Sequence, residues 1–260
     1  MAGAIAKALA GASPAREIRL TTGSSVPSWA NGLAHVTHRA VASTPEANRD
    51  AVAGAEAVIL GVKPYAIVDL AREIADALAP DALVVSVAGG VTVGALAAAL
   101  PAGAAAVRTM PNTPVAIGRG ITAYCVAEKA PADTGERVEA LLAPTGAVMP
   151  MREELIDGFS AVVGSGPAYV YAIVESLTAA AVEQGLSPED AARMVPGMIG
   201  GAIAYLEASG REPADLREEV TSPGGSTAAA LAAFAEGGLD ETLRGGVAAA
   251  TARAREMGLG

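Results

Sequence analysis

The order in which apolar segments follow one another restricts the fold of this chain more than any other feature. Between residues 18 and 150, short apolar runs alternate with stretches of helical length, which is the pattern of strand–helix–strand units. The runs at 57–62 and 83–88 have no polar residue at every second position, as expected of strands that are covered on both faces. We therefore predict a parallel sheet flanked by helices. Further strands are predicted at 18–22, 105–109 and 121–126.

The predicted secondary structure changes after residue 150. Strand patterns stop there, and the remaining residues have the pattern of helices. Pro167 stands at a first helical position and Gly185 at a C-terminal cap, while Ser187 is placed to cap the next helix. We predict an α/β domain over residues 1–150 and an all-α domain over residues 151–260.

Charge and composition exclude several classes of partner. A formal net charge of -10 and a pI near 4.7 offer no basic surface to a nucleic-acid backbone. The longest uncharged stretch, residues 158–174, is interrupted by Gly-Ser-Gly-Pro, which makes it a poor membrane span. Cys125 is the only cysteine, which excludes an internal disulfide and a cysteine-rich metal site and suits a reducing compartment. We expect a cytoplasmic protein without nucleic-acid, membrane or metal partners.

The first residues have the pattern of the first helix of a dinucleotide-binding unit. In such units a strand and a Gly-x-Gly turn come before this helix, so that backbone N–H groups receive the pyrophosphate. Here only the third position of that fingerprint is present, at Ala2. We therefore place Met1 and Ala2 at the cofactor and expect the natural product to begin upstream. An ordinary alanine-rich helix is the alternative.

The strand predicted at 18–22 indicates which nicotinamide cofactor is used. It ends in Gly-Ser-Ser at 23–25, without the Asp or Glu that binds the adenosine 2′-hydroxyl of NAD. The hydroxyls of Thr22, Ser24 and Ser25 are candidate donors to the 2′-phosphate of NADP. NADPH is the predicted cofactor and NAD the alternative. A polar turn without a ligand is the structural alternative.

Three segments follow predicted strands and contain Gly, Pro or Asn: residues 61–64 (Gly-Val-Lys-Pro), 87–92 (Val-Ala-Gly-Gly-Val-Thr) and 108–114 (Arg-Thr-Met-Pro-Asn-Thr-Pro). The carboxyl ends of parallel strands meet at the edge where open α/β sheets bind ligands. Each segment alone is also compatible with an ordinary turn.

A fourth segment in the helical domain suits a small carboxylate. Residues 221–227 read Thr-Ser-Pro-Gly-Gly-Ser-Thr and precede a helical run. Gly224 and Gly225 expose backbone N–H groups ahead of that helix, and Ser226 and Thr227 add hydroxyl donors. A plain helix cap is the alternative. Gly164-Ser165-Gly166-Pro167 opens another helix.

Together these segments resemble the pyrroline-5-carboxylate reductase family over nearly the whole chain. The resemblance implies a Rossmann-like NADP-binding domain followed by an all-α dimerisation domain. It also implies hydride transfer from NADPH to the C=N carbon of 1-pyrroline-5-carboxylate, which gives L-proline in the last step of proline biosynthesis. A homodimer or higher homo-oligomer is expected.

The resemblance also implies roles for individual residues. The implied cofactor-binding residues are Met1, Ala2, Thr22, Ser24, Asn48, Val62, Lys63, Pro64, Val87, Ala88, Gly89 and Asn112. The implied substrate-binding residues are Glu153, Ser222, Gly225, Ser226 and Thr227. Thr227 is also the implied catalytic residue, as the proton donor or the orienter of the ring nitrogen.

Some positions depart from this assignment. Glu219 stands where the family often carries an asparagine near the cofactor, and Glu153 is equally suited to cap the helix that begins there. His35 and His38 match no family site, so we expect them on the surface or in packing contacts.

Two other functions remain open from the residues alone. A related NADP-dependent imine or β-hydroxyacid reductase would require an acid–base group on the long helix of the second domain, where residues 170–180 offer only Glu175. An inactive helical dimerisation protein is the third reading, because the Gly-x-Gly turn is missing. A cofactor titration separates this reading from both enzymes.

Overall fold

The computed structural model describes residues 1–13 and 15–258. The strands are β1 (Ile18–Thr22), β2 (Val36–Ala40), β3 (Ala57–Leu60), β4 (Leu83–Ser86), β5 (Ala105–Pro111), β6 (Gly120–Val126) and β7 (Gly146–Pro150). The α-helices are α1 (Ala2–Ala12), α2 (Ala47–Val52), α3 (Ile67–Ile74), α4 (Val93–Ala98), α5 (Thr134–Leu142), α6 (Ile156–Phe159), α7 (Gly166–Glu183), α8 (Pro188–Ser209), α9 (Pro213–Glu219), α10 (Ser226–Glu236) and α11 (Leu239–Gly258).

The strands form two sheets, which confirms the predicted α/β class. β1 pairs in parallel with β2, and the second sheet has the order β3-β4-β5-β6-β7. The predicted parallel pairing is wrong at one place, because β6 runs antiparallel to β5. Residues 112–119 join these two strands, and a connection this short cannot complete the crossover that parallel neighbours need.

The five-stranded sheet separates two hydrophobic clusters. Alternate residues of a strand point to opposite faces, so Val84 of β4 packs with Ile67 and Ile74 of α3, while Val85 packs with Ile5 and other residues of the second cluster. All four residues of β4 are buried, as the unbroken apolar run at 83–88 predicts. Each fully buried aliphatic side chain contributes about 1.5–3 kcal/mol relative to exposure.

The chain divides into two compact units. The first comprises Met1–Pro167 with the end of the chain from Ala250, and the second comprises Ala168–Ala249. Among the described residues after 151, every regular element is helical. Ser187 caps α8 by accepting a hydrogen bond from the backbone N–H of Asp190 at 3.1 Å, and α8 continues through Pro196. None of the helices within the described residues has both the length and the apolar character needed to cross a bilayer.

Candidate functional site

A cavity of about 620 Å³ lies where β3 and β4 end and α1 begins. The carboxyl ends of parallel strands are the usual ligand-binding edge of such sheets. The predicted cofactor residues that line the cavity are Met1, Val62, Lys63, Pro64, Val87, Ala88 and Gly89. The structure therefore brings together three predicted segments that are distant in sequence.

Gly61 allows the start of α1 to approach the end of β3. A Cβ atom placed on Gly61 would lie 2.3 Å from the Cβ atom of Ala2, a distance that no pair of side chains tolerates. Ala2 is thus adjacent to the cavity through Gly61, itself a lining residue. Gly61 belongs to the Gly-Val-Lys-Pro motif, but its role in seating α1 was not predicted.

Two further lining residues, Tyr65 and Ala66, were missed by the sequence interpretation. The Tyr65 side chain is exposed and follows the Val-Lys-Pro turn directly. Their position after a recognised turn was the available signal, but a single exposed tyrosine in a turn has no pattern that distinguishes it from an ordinary surface residue.

The structure does not place Thr22, Ser24, Asn48 or Asn112 in the lining of this cavity. Thr22 is the last residue of β1 in the two-stranded sheet, and Ser24 lies in the turn that follows this strand. The side chain of Asn48 donates a hydrogen bond from Nδ2 to Glu73 Oε1 at 3.0 Å, so its predicted contact with the adenosine ribose would compete with this bond.

Asn112 has a structural role that the sequence did not reveal. Its Oδ1 accepts a hydrogen bond from the Ile121 backbone N–H at 2.9 Å, and its Nδ2 donates to the Val163 carbonyl at 3.3 Å. The buried side chain therefore ties the loop after β5 to β6 and to the π-helical turn Ser160–Gly164.

The hydroxyl of Thr22 lies 2.8 Å from the Ser25 carbonyl and 2.8 Å from His38 Nε2. Because a hydroxyl has one proton and a carbonyl only accepts, the Thr22 hydroxyl donates to Ser25. A contact between this hydroxyl and a 2′-phosphate, as predicted, would have to replace the hydrogen bond to Ser25.

Glu153 forms part of a partly buried ionic cluster centred on the buried Arg108. Arg108 donates from Nη1 to Glu153 Oε1 and from Nη2 to Asp157 Oδ1, both at 3.1 Å. Glu153 Oε1 also accepts from the Val93 backbone N–H at 2.7 Å, at the start of α4. Glu153 thus caps a helix, as one alternative held, but the helix is α4 and not the one that begins at Glu153.

Arg108 is 5% exposed, and its Nε has no hydrogen-bond partner among the described residues. A charged group at this depth requires counter-charges, and both carboxylates supply them. The sequence interpretation quoted Arg108 in a loop motif and did not predict this role. An arginine within an apolar strand was the signal that could have revealed it.

A second cavity of about 550 Å³ is lined by residues that include Glu153, Tyr124 and Cys125. Burial, together with the negative charge of Glu153, raises the pKa of the Cys125 thiol to about 11. Burial likewise raises the pKa of Tyr124 to about 12, with a contribution from its hydrogen bond to Glu139. Neither group ionises near neutral pH.

The predicted carboxylate-binding residues form one turn at the start of α10. The Gly225 backbone N–H donates to the Ser222 carbonyl at 3.0 Å, and Gly224 has φ +71°, which favours glycine. A Cβ atom on Gly225 would lie 2.5 Å from Ser222 Oγ. As the N-cap residue, Gly225 has no side chain to cover the first N–H groups of α10, so these groups and the Ser226 and Thr227 hydroxyls are available in one place.

Three residues that do not match the family's sites form contacts within the chain. Glu219 forms an ion pair with Arg211. His35 Nε2 lies 3.2 Å from the carbonyl of Ala10 near the end of α1, and His38 contacts Thr22. Both histidines make packing contacts, as expected, although the contact of His38 is next to predicted cofactor positions.

Comparisons with known proteins identify the family of this chain. A family model described as pyrroline-5-carboxylate reductase dimerisation matches residues 153–257, and one described as NADP oxidoreductase, coenzyme F420-dependent, matches residues 1–90. The chain is 37% identical to a pyrroline-5-carboxylate reductase of Pseudomonas aeruginosa over 82% of this chain and 78% of that protein. It is 35% identical to pyrroline-5-carboxylate reductase 3 of Danio rerio over 90% and 81%, respectively.

Solved structures agree with this relationship. A pyrroline-5-carboxylate reductase from Coxiella burnetii has a TM-score of 0.86 at 31% identity, covering 98% of this chain and 94% of that chain. A pyrroline carboxylate reductase of Plasmodium falciparum with NADP bound has a TM-score of 0.85 at 26% identity, with the same coverage. This chain belongs to the pyrroline-5-carboxylate reductase family.

Proposed function

We propose that this protein reduces 1-pyrroline-5-carboxylate to L-proline, with NADPH as the hydride donor. The observation that carries the proposal is its identity of more than a third to a named reductase that it matches over most of both chains. The protein is accordingly an oxidoreductase that acts on a C=N bond, using a nicotinamide cofactor.

The residues that line the first cavity fit a dinucleotide. Val87 and Ala88 have small apolar side chains and Gly89 has none, so a planar ring can approach the backbone there. Lys63 supplies a cation for a phosphate. The cofactor, when bound, supplies the hydride. We assign Met1, Val62, Lys63 and Pro64 to hold it, together with the segment that starts at Val87.

The turn at residues 222–227 would hold the substrate carboxylate. Backbone N–H groups at a helix N-terminus favour an anion through hydrogen bonds and through the helix dipole. Gly225 allows this tight turn, because a Cβ atom there would lie 2.5 Å from Ser222 Oγ. We assign Ser222, Gly225, Ser226 and Thr227 to this carboxylate, and Thr227 also to the ring nitrogen.

We assign two roles to Glu153. Its Oε1 accepts from Arg108 and from the backbone of Val93, and these bonds hold the carboxylate that we assign to the neighbourhood of the substrate nitrogen. We also assign it to positioning α4 behind the turn at residues 87–92. A substrate that binds as the iminium ion needs no strong general acid, since it already carries its proton.

We further propose that NADPH is preferred to NADH, because the turn after β1 contains no carboxylate to bind a 2′-hydroxyl.

The family model for dimerisation covers residues 153–257 and supports homo-oligomerisation. Large apolar side chains that α7 and α8 expose, such as Tyr171, Ile173, Met194 and Met198, suit a homodimer or a higher oligomer. We retain the cytoplasm as the proposed location and residues 1–150 and 151–260 as the proposed domains.

The proposal is tested by incubating the purified protein with 1-pyrroline-5-carboxylate and NADPH. We expect loss of NADPH absorbance matched by an equal amount of proline. The carboxylate-free imine 1-pyrroline is the control substrate, and it should react far more slowly because it lacks the group that the turn at 222–227 binds. Equal rates with both imines, or a faster reaction with a β-hydroxyacid and NADP, would favour one of the related reductases. Absence of cofactor binding in a titration would favour the inactive dimerisation protein.

A further inference from the structure

Three residues at the end of β1 are linked through a single hydroxyl group. Thr22 Oγ1 lies 2.8 Å from the carbonyl oxygen of Ser25 and 2.8 Å from Nε2 of His38. Thr22 is the last residue of β1, and His38 lies in the neighbouring strand β2. The turn at residues 23–25 is therefore joined to β2 by side chains.

The chemistry of the three groups fixes the direction of both hydrogen bonds. A carbonyl oxygen only accepts, so the one proton of the Thr22 hydroxyl is donated to Ser25. The imidazole of His38 must then donate from Nε2–H to the Thr22 oxygen, because the hydroxyl has no second proton to give. His38 is thus the donor that holds Thr22 in the orientation that closes the turn.

The strand register explains why these side chains meet. β1 and β2 are parallel, with Leu20 opposite His38 and Thr22 opposite Ala40. Leu20, Thr22, His38 and Ala40 share the half-buried face of this small sheet, since alternate residues of a strand point the same way. A half-buried hydrogen bond is less exposed to competition from water than one on the surface.

The backbone restrains the other side of the same turn. The N–H of Val41 donates to the Thr22 carbonyl at 2.9 Å, and the N–H of Ala42 donates to the Gly23 carbonyl at 3.0 Å. The turn is therefore fixed to β2 through its backbone and through the His38–Thr22–Ser25 hydrogen bonds. Ser24 and Ser25 remain exposed at its tip.

We propose that His38 is a positioning residue that sets the preference for the phosphorylated cofactor. By holding Thr22, it fixes the turn so that the exposed hydroxyl and backbone N–H groups of Ser24 and Ser25 converge on the 2′-phosphate. In a dinucleotide-binding unit, 2′-hydroxyl and 2′-phosphate are distinguished at the end of the strand that follows the first helix, which is the position of β1 after α1. Donors held in place also lose less entropy on binding than mobile ones. This inference rests on the proposed use of NADPH.

The test substitutes the histidine and measures cofactor preference. His38→Leu removes the donor, and the ratio of kcat/KM for NADPH to that for NADH should fall about tenfold, the effect of losing one well-placed hydrogen bond. The fall should lie in KM for NADPH, with kcat and the kinetics with NADH unchanged. His38→Gln keeps an N–H donor and should retain most of the preference. His35→Leu is the matched control, because His35 contacts Ala10 instead, and it should leave the ratio unchanged.

A second pair of variants tests whether the effect passes through Thr22. Thr22→Val keeps the shape of the side chain but has no hydroxyl, so it should lower the ratio as His38→Leu does. The double variant should be no worse than either single variant, since both remove one connected pair of hydrogen bonds. Thr22→Ser should behave as the unsubstituted protein. Calorimetric titration with NADP⁺ and NAD⁺ provides the same comparison without turnover, and the affinity for NADP⁺ alone should fall.

The outcomes separate this inference from the proposed function. An unsubstituted protein that fails to reduce 1-pyrroline-5-carboxylate contradicts the function, whereas the NADP⁺ titration still tests the histidine. An unchanged NADP⁺ to NAD⁺ affinity ratio in both His38→Leu and Thr22→Val overturns the role of His38. Where His38→Leu fails to fold, judged by circular dichroism, the near-isosteric Thr22→Val decides. An equal loss of affinity for both cofactors would indicate a purely structural histidine and would also overturn the proposal.

Discussion

Arg108 donates from Nη1 to Glu153 Oε1 at 3.1 Å, and so joins the middle of the five-stranded sheet to the segment that follows its last strand. The same carboxylate oxygen accepts from the Val93 backbone N–H at 2.7 Å. One ion pair therefore links β5, the start of α4 and the turn that precedes α6. The turn at residues 87–92, whose first residues line the first cavity, leads directly into this junction.

Replacing Arg108 tests the cost of breaking this junction. Arg108→Met removes the cation and leaves Glu153 and Asp157 close together with no counter-charge. We expect the free energy of unfolding to fall by about 1–3 kcal/mol, because the two partly exposed carboxylates lose their counter-charge. Urea denaturation followed by circular dichroism measures this change. Adding Glu153→Gln and Asp157→Asn to the variant should restore part of the loss, because the mutual repulsion of the carboxylates is then absent.

The neighbouring arginine provides the control for this prediction. Arg152 pairs with Glu154 at 3.2 Å, and both side chains are largely exposed. Arg152→Met should change the free energy of unfolding by less than about 0.5 kcal/mol, since exposed pairs contribute little. Equal effects of the two substitutions would contradict a larger contribution from the ion pairs of the buried Arg108.

The contact between Gly61 and Ala2 gives a second prediction. Gly61→Ala would place two Cβ atoms 2.3 Å apart, so the start of α1 must move away from the end of β3. We expect a loss of about 1–3 kcal/mol in stability and weaker cofactor binding, measured by thermal denaturation and by titration. Ala2→Gly in the same chain should reverse both effects by removing the overlapping atom. Gly94→Ala is the control, because a Cβ atom there meets nothing within 4 Å.

Local patterns were sufficient to predict most elements of the fold. The apolar runs at 57–62 and 83–88 became β3 and β4, and Ser187 capped α8 as predicted. Two strands were missed for different reasons. β2 contains Thr37, His38 and Arg39, so it has no apolar run, and β7 is a short edge strand with a half-exposed pattern. Antiparallel pairing of β5 with β6 depends on the length of a connection and not on residue types.

The candidate site was predictable where a motif places its residues on one loop. Lys63 and Pro64 follow a recognisable strand and line the cavity with Val87 and Gly89, from the next strand along the chain. Asn112 was quoted from a motif as a cofactor residue, but its amide is hydrogen-bonded to Ile121 and Val163. Such bonds join residues distant in sequence, so no local pattern could reveal them. The same holds for the links from Arg108 to Glu153 and from His38 to Thr22.

Lys63 carries a prediction on cofactor affinity. It is an exposed cation on the wall of the first cavity, where it would attract phosphate groups. Lys63→Ala should raise KM for NADPH about tenfold, equivalent to about 1.4 kcal/mol, with little change in kcat. Steady-state kinetics measure both constants. Lys129→Ala removes another exposed lysine, one that does not line this cavity, and it should leave KM unchanged; a similar rise in both variants would indicate a general charge effect.

Cys125 carries a prediction on alkaline stability. Burial raises the pKa of its thiol from 9.0 to about 11. The unfolded chain therefore ionises at a lower pH than the folded one, so the stabilising contribution is complete below pH 9 and is lost as pH rises to about 11. Relative to Cys125→Ala, the unsubstituted protein should lose about 2–3 kcal/mol over this interval. Urea denaturation across the interval measures the difference. Parallel pH profiles of the two proteins would rule out this role for the thiol.

The last prediction concerns the effect of Thr227 on turnover. It follows Ser226 at the start of α10, in the turn where Gly225 leaves the backbone N–H groups uncovered. If its hydroxyl orients the substrate ring nitrogen, Thr227→Ala should lower kcat by about ten- to a hundredfold, within the usual range of proton-transfer and orienting groups, while the affinity for NADPH stays unchanged. Steady-state kinetics and a cofactor titration separate these effects. Thr227→Ser keeps the hydroxyl and should recover most of the rate, whereas Thr227→Val should not. Unaltered turnover in the alanine variant would remove Thr227 from this role and leave the carboxylate to Ser222, Ser226 and the backbone.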